Sequence, residues 1–137
     1  MTAHHATIEL EGHRRGFHEI TSKIDEVVRQ SEVHVGTCTA FVQHTSAGIC
    51  IQENADPSAR HDMECWLDRV APENDPEYTH TTEGSDDMPA HLKAILTGVD
   101  IVVPIINGSL ALGTWQGIYF CEFRNRPGVR KIAVVIQ

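Results

Sequence analysis

The chain has 137 residues, the length of one domain, with 41% hydrophobic and 22% charged residues; that balance excludes general disorder and fibrous repeats. Eleven Lys and Arg against nineteen Asp and Glu leave a net charge of −8, which makes nucleic acid and anionic membrane poor partners. Apolar runs such as Val99–Ile106 are broken and far too short to cross a bilayer. The start, Met1-Thr2-Ala3-His4-His5, lacks the basic and apolar segments of a secretory signal. A soluble, cytoplasmic protein is expected.

Residues 6–20 alternate loosely (Ile8, Leu10, Phe17, Ile20) with breaks at Gly12 and Gly16, which predicts two short strands in a hairpin. A helix should follow over 22–30, with Ser22 as N-cap and Ile24, Val27 and Val28 as its apolar stripe. From Val33 to Gln43 the period becomes two, predicting a long strand buried on both faces over part of its length. His44-Thr45-Ser46-Ala47-Gly48 ends it, and 49–53 resumes as a strand. Asp56-Pro57 opens a second helix with Asp at N-cap and Pro at N1, and Pro72 stops it. Residues 73–87 carry almost no apolar side chain, so they form either a disordered loop or a functional one. A third helix is expected from Pro89 to about Leu96, with Gly98 as its stop.

The last forty residues read as strands over 99–106, 109–114, 118–124 and 129–136, with Asn107-Gly108 as a hairpin turn. Pro104 inside its run requires an edge or a bulge. Strands at both ends with helices inserted predict one α+β domain over residues 1–137, with largely antiparallel sheets and two to three helices.

Nine histidines outnumber the eight Phe, Trp and Tyr together, and histidine is both the commonest metal ligand and the usual acid–base group near neutral pH. His4, His5, His13, His18 and His34 sit outside any polar cluster. Cys38, Cys50, Cys65 and Cys121 show no C-x-x-C spacing and read as small hydrophobes. Polar groups concentrate at Gln43–Ser46, at Glu53–Asp56 and, most densely, from His80 to His91. That last segment holds two imidazoles and the carboxylates of Glu83, Asp86 and Asp87. Asp87 and His91 stand four apart across a helix start, so both can point to one side. Such a donor set suits a divalent cation: its oxygens favour Mg²⁺ or Mn²⁺, its imidazoles Zn²⁺. The rival reading makes Asp86 or Asp87 a helix cap and nothing more. Arg124, Arg126 and Arg130 flank the Pro127-Gly128 turn, either solvating a sheet edge or forking a phosphate or carboxylate.

Four segments in order, His44-Thr-Ser-Ala-Gly48, Glu53-Asn-Ala-Asp-Pro57, His80-x-x-Glu83-Gly-x-Asp-Asp-Met-Pro-Ala-His91 and Leu112-Gly-Thr-Trp-Gln-Gly-Ile-Tyr119, resemble the YjbQ-like family from about residue 15 to the end. Proteins of that family are sometimes described as secondary thiamine-phosphate synthases. The resemblance implies an α+β fold assembled as a homotrimer, with a metal-associated pocket near the subunit boundary. Carried over by position, His44, His80, Asp87 and His91 would hold or flank the metal, and Glu83, Asp86, Asp87 and His91 would serve catalysis. Glu53 and Arg124 would bind ligand. The implied reaction joins a pyrimidine pyrophosphate to a thiazole phosphate and releases pyrophosphate, as a low secondary activity beside an unsettled main task. Cys50 and Gln52 depart from the usual family pattern.

Two functions follow as expectations. The first is a metal-dependent transferase acting on a small phosphorylated molecule. The second is a non-catalytic trimer that binds a metal or a phosphorylated ligand.

Overall fold

The computed structural model describes residues 3–137. In chain order the elements are β1 (His4–Leu10), β2 (Gly16–Glu19), α1 (Thr21–Ser31), β3 (Gly36–Val42), β4 (Ala47–Glu53), α2 (Pro57–Val70), α3 (Asp87–Thr97), β5 (Asp100–Ile106), β6 (Ser109–Leu110), β7 (Gln116–Glu122) and β8 (Arg130–Ile136). They form two antiparallel sheets, a five-stranded one in the order β1-β8-β3-β5-β6 and a three-stranded one in the order β2-β7-β4. The α+β expectation holds, with three helices.

Alternation explains the layers. Cys38, Ala40 and Val42 of β3, Val103 and Ile105 of β5, and Ile132, Val134 and Ile136 of β8 point inward from the larger sheet. They meet Ala47 and Ile49 of β4 and Ile118 and Phe120 of β7, with Ile24, Val27 and Val28 of α1 completing this core. A second core lies behind the smaller sheet, where Tyr119, Cys121 and Phe123 pack with Leu67 of α2 and Ala90 and Ala94 of α3. The run Ile118–Cys121 is therefore buried on both sides, as its unbroken apolar character requires.

Several local expectations change. Residues 6–20 form no hairpin: β1 pairs with β8 and β2 with β7, in different sheets. Gly12 and Gly16, at φ +73° and +137°, lie where the chain crosses between them. Helix α1 begins at Thr21, not after a Ser22 cap. The Thr21 hydroxyl instead donates to Glu19 Oε2 at 2.8 Å and accepts the Ile118 amide at 2.9 Å. In this chain β3 is buried on one face only. Its other face carries exposed Phe41, with Val102 and then Ile106 of β5 further along the same face. Residues 111–114 leave the strand expected over 109–114. Pro104 lies on β5, whose outer neighbour is only the two-residue β6, close to the edge position required of it. Asp56 caps α2 by accepting the Ser58 amide at 2.9 Å, with Pro57 following at N1.

The end of α3 is held tightly against β4. The Ile49 amide donates to Gly98 O at 3.1 Å. A Cβ on Gly48 would overlap the Thr97 hydroxyl and come within 2.7 Å of the Gly98 carbonyl. Gly48→Ala should therefore push α3 off the sheet and cost about 1–3 kcal/mol, as overpacking does, measured as a lower Tm; an unchanged Tm would show that this contact does not hold α3 in place.

Candidate metal centre

Helix α3 starts two residues earlier than its Pro89 suggests, so Asp87 and His91 both lie within regular helix, one turn apart. Asp86 occupies the N-cap position, yet its side chain makes no capping bond. Its Oδ2 instead accepts Arg124 Nε at 3.0 Å and the Asn125 amide at 2.9 Å. The capping explanation for this carboxylate is thereby excluded.

The polar stretch before α3 is a loop held by its own bonds. Tyr78 OH donates to Pro72 O at 2.9 Å and Ser85 Oγ to Glu73 Oε1 at 2.5 Å. It brings His80 over the start of α3, where Nε2 lies 2.9 Å from Asp87 Oδ2 and 2.9 Å from Glu83 Oε2. His91 Nε2 lies 3.0 Å from the same Asp87 oxygen. One ligand atom each from His80, Asp87 and His91 thus falls within 4.8 Å of the others. The other Asp87 oxygen accepts from Arg124 Nη1, and Arg124 Nη2 donates to Glu83 O at 2.9 Å. Burial opposes the charge on Asp87, but His91, His80 and Arg124 outweigh it and hold the carboxyl below the usual carboxylate range. For Asp86 burial is likewise outweighed, here by the Asn125 amide and Arg124.

The hydrogen bond behind His91 decides what stands in front of it. His91 Nδ1 lies 2.8 Å from the Thr45 carbonyl, which can only accept, so Nδ1 carries the proton. With Nδ1 engaged, Nε2 is the ring atom that faces the ionised carboxylate oxygen. Two acceptors at that distance repel unless a proton or a metal ion sits at Nε2. A ring nitrogen anchored by a backbone carbonyl is also the usual support behind a metal-binding imidazole. The residues fit the group.

The remaining expected site residues separate. His44 lines the same cleft as His80 and His91, but its Nε2 accepts the Lys131 amide at 2.8 Å. Burial, and then the Arg130 charge, lowers its pKa and favours that neutral form. Glu53 ends the seven-residue β4, about 20 Å along the strand from its Ala47 start. There its carboxylate accepts the Asp56 amide at 3.2 Å, and the structure does not bring it to the cluster. None of the five isolated histidines joins the cluster either.

Sequence reasoning missed Glu122 and Thr45. Glu122 is fully buried, binds Arg130 through both oxygens, and accepts the Phe123 and Arg124 amides at 3.0 Å each. It thereby fixes the turn that aims Arg124. A lone acid set between the apolar run Ile118–Cys121 and Phe123 was the available signal. Arg130 is buried too, donating to Ser46 Oγ at 3.0 Å, so it forks a carboxylate and does not solvate an edge. Of the cysteines, Cys38 and Cys121 are buried as expected, whereas Cys50 and Cys65 are only partly so.

The depressed Asp86 pKa gives a signed pH effect. A carboxyl lowered in the folded state adds stability above its unfolded pKa, about 3.9, and loses it as pH falls through the lower folded value. Asp86→Asn should cost about 1.5–3 kcal/mol near neutral pH, as loss of a charged hydrogen bond does. Urea unfolding over a pH series should show that gap narrowing below about pH 3.9; a constant gap would refute it.

The profile of the UPF0047 protein YjbQ-like family matches residues 6–137. A UPF0047 protein of Synechocystis sp. is 46% identical over 123 residues, 90% of this chain and 84% of that one. The UPF0047 protein YjbQ of Escherichia coli O157:H7 is 40% identical over 132 residues, 96% and 95% of the two chains. A crystal structure of an uncharacterised YjbQ/UPF0047 protein from Clostridium acetobutylicum superposes with TM-score 0.88 at 40% identity, covering 96% of this chain and 99% of that one. A crystal structure of a YbjQ-like protein of unknown function from Sulfolobus solfataricus gives TM-score 0.90 at 26% identity, covering 98% and 96%. By profile, sequence and fold, the chain belongs to the YjbQ-like UPF0047 family.

Proposed function

We propose that the chain is a divalent-metal-dependent enzyme whose ion is held by His80, Asp87 and His91. The reading is carried by His80 Nε2 and His91 Nε2 converging on one Asp87 oxygen, with His91 Nδ1 anchored on Thr45. Two imidazoles and one carboxylate favour Zn²⁺ or Mn²⁺ over Mg²⁺, and three protein ligands match the pattern of catalytic sites. Such an ion supplies Lewis-acid charge and an activated water. The chain's own groups do the rest. Arg124 holds Asp86 and Asp87 in place. Glu83, largely exposed beside His80, is placed to accept a proton at Oε2.

The reaction implied by the family, joining a pyrimidine pyrophosphate to a thiazole phosphate, belongs to this reading as a slow transferase activity. Pyrophosphate must leave with its charge neutralised. The guanidinium at the cluster, Arg124, already binds Asp86, Asp87 and the Glu83 carbonyl, which supports low turnover. A cytoplasmic setting accords with four unpaired thiols. Among the described residues no helix is long and apolar enough to cross a membrane.

A homotrimer forms part of the same proposal. The outer face of the larger sheet exposes Phe41, Val102 and Ile106 at 46%, 58% and 53%, an apolar patch of the kind that marks an interface. Val102→Asp should convert the assembly to single chains in analytical ultracentrifugation; an unchanged mass, or a single-chain parent protein, would exclude this face as the interface.

The central test is metal analysis of chelator-treated, reloaded protein. One ion per chain is expected, with affinity lowered at least about tenfold by Asp87→Asn and abolished by His91→Ala. Retention of the ion by His91→Ala would end the reading. Stoichiometric metal with ligand-induced stabilisation but no turnover on the two phosphorylated substrates would leave a non-catalytic binding protein.

A further inference from the structure

The cleft in front of His80 and His91 has a volume of about 1170 Å³. Its walls are Phe41 and Val42 from β3, Met88, Ala94 and Ile95 from α3, and Val99. Among the described residues no Arg or Lys lines it, and Asp100 is its one carboxylate. Polar groups gather at the metal cluster end, where His44, Thr45, His80 and His91 stand. Ile95 follows His91 by one helical turn, so it lies about 5–6 Å along the same face. It is 76% exposed, an aliphatic side chain left in water beside the proposed ion.

The charges at the cluster are Glu83, Asp86 and Asp87 against Arg124. Three negative charges and one positive leave minus two, which a divalent ion brings to neutrality. A polyanionic head group entering this neutral site would meet no Arg or Lys among the described residues that line the cleft. A head with one negative charge, or a neutral carbonyl, meets no such opposition. The apolar walls, meanwhile, gain by covering the rest of the molecule.

We infer that the principal substrate of this cleft has an apolar body and a metal-binding head of carboxylate or carbonyl type carrying at most one negative charge. The head sits at His80, Asp87 and His91, and the body lies along Phe41, Met88 and Ile95. The inference rests on the metal-centre reading above.

The test titrates the zinc-reloaded 137-residue chain with acetate, hexanoate and pentylphosphonate by calorimetry. Hexanoate should bind at least about tenfold tighter than acetate, since partial burial of four methylenes suffices for that gain. Pentylphosphonate, with the same tail and more charge, should bind no tighter than hexanoate. Ile95→Ser should remove most of the tail's gain while leaving zinc and acetate affinity unchanged. Equal affinity for acetate and hexanoate, a tighter phosphonate, or an Ile95→Ser variant that keeps the full gain would overturn the inference with the metal centre intact. Failure of zinc itself to bind would overturn the metal-centre reading, and this inference with it.

Discussion

One carboxylate organises the site. Asp87 is 3% exposed, and an ionised acid so buried is unstable unless other groups compensate its charge. Arg124 takes one oxygen, while His80 and His91 converge on the other. The first turn of α3 adds the favourable end of a helix dipole. Each partner comes from a different part of the chain: a loop, a helix and the segment after β7. The charge on Asp87 therefore makes assembly of the site and closure of the fold mutually dependent.

Support for that carboxylate extends inward. Arg124 reaches Asp86 and Asp87 because its own backbone amide is bound by Glu122. Glu122 tolerates full burial because Arg130 binds both its oxygens. Arg130 in turn touches Ser46, next to the Thr45 carbonyl that anchors His91. The relay leaves the ends of β4, β7 and β8 joined by charged hydrogen bonds where the two sheets meet α3. Half-satisfied, such a network would be worse than an apolar core; here every member described has a partner. Its function is positional, since none of Glu122, Arg130 and Ser46 lines the cleft.

Residue spacing shows element type far better than element partner. The stripe Ile24, Val27, Val28 and the Asp56-Pro57 start identify helices because their signals are local. The supposed hairpin over 6–20 fails because its strands are set by contacts more than a hundred residues away, as His4 against Ile136 shows. At the site, Asp87 and His91 were legible from helical spacing, and His80 from the density of its segment. The Thr45 carbonyl was not, since every residue has one and only tertiary geometry aims it. Glu53 shows the converse: a polar motif as conspicuous as the others in sequence, placed by β4 at the opposite end of the smaller sheet. The face of β3 was misjudged for a related reason. Alternating apolar residues on both sides predict burial of both faces, but the described residues leave Phe41, Val102 and Ile106 about half exposed.

Phe41 connects that uncovered face to the chemistry. It lies on the outer face of β3 and also on the wall of the cleft, so burying the sheet in an assembly necessarily reshapes the cleft mouth. A neighbouring chain placed there would exclude water from one side of the cluster and lower the local dielectric. Lower dielectric strengthens the hold of His80, Asp87 and His91 on a cation, and it also raises the penalty for any excess anion. With the chain's −8 charge already repelling polyanions at long range, such an assembly and the electrostatics would act in one direction. Both would select against densely charged substrates and in favour of molecules that an apolar mouth can cover.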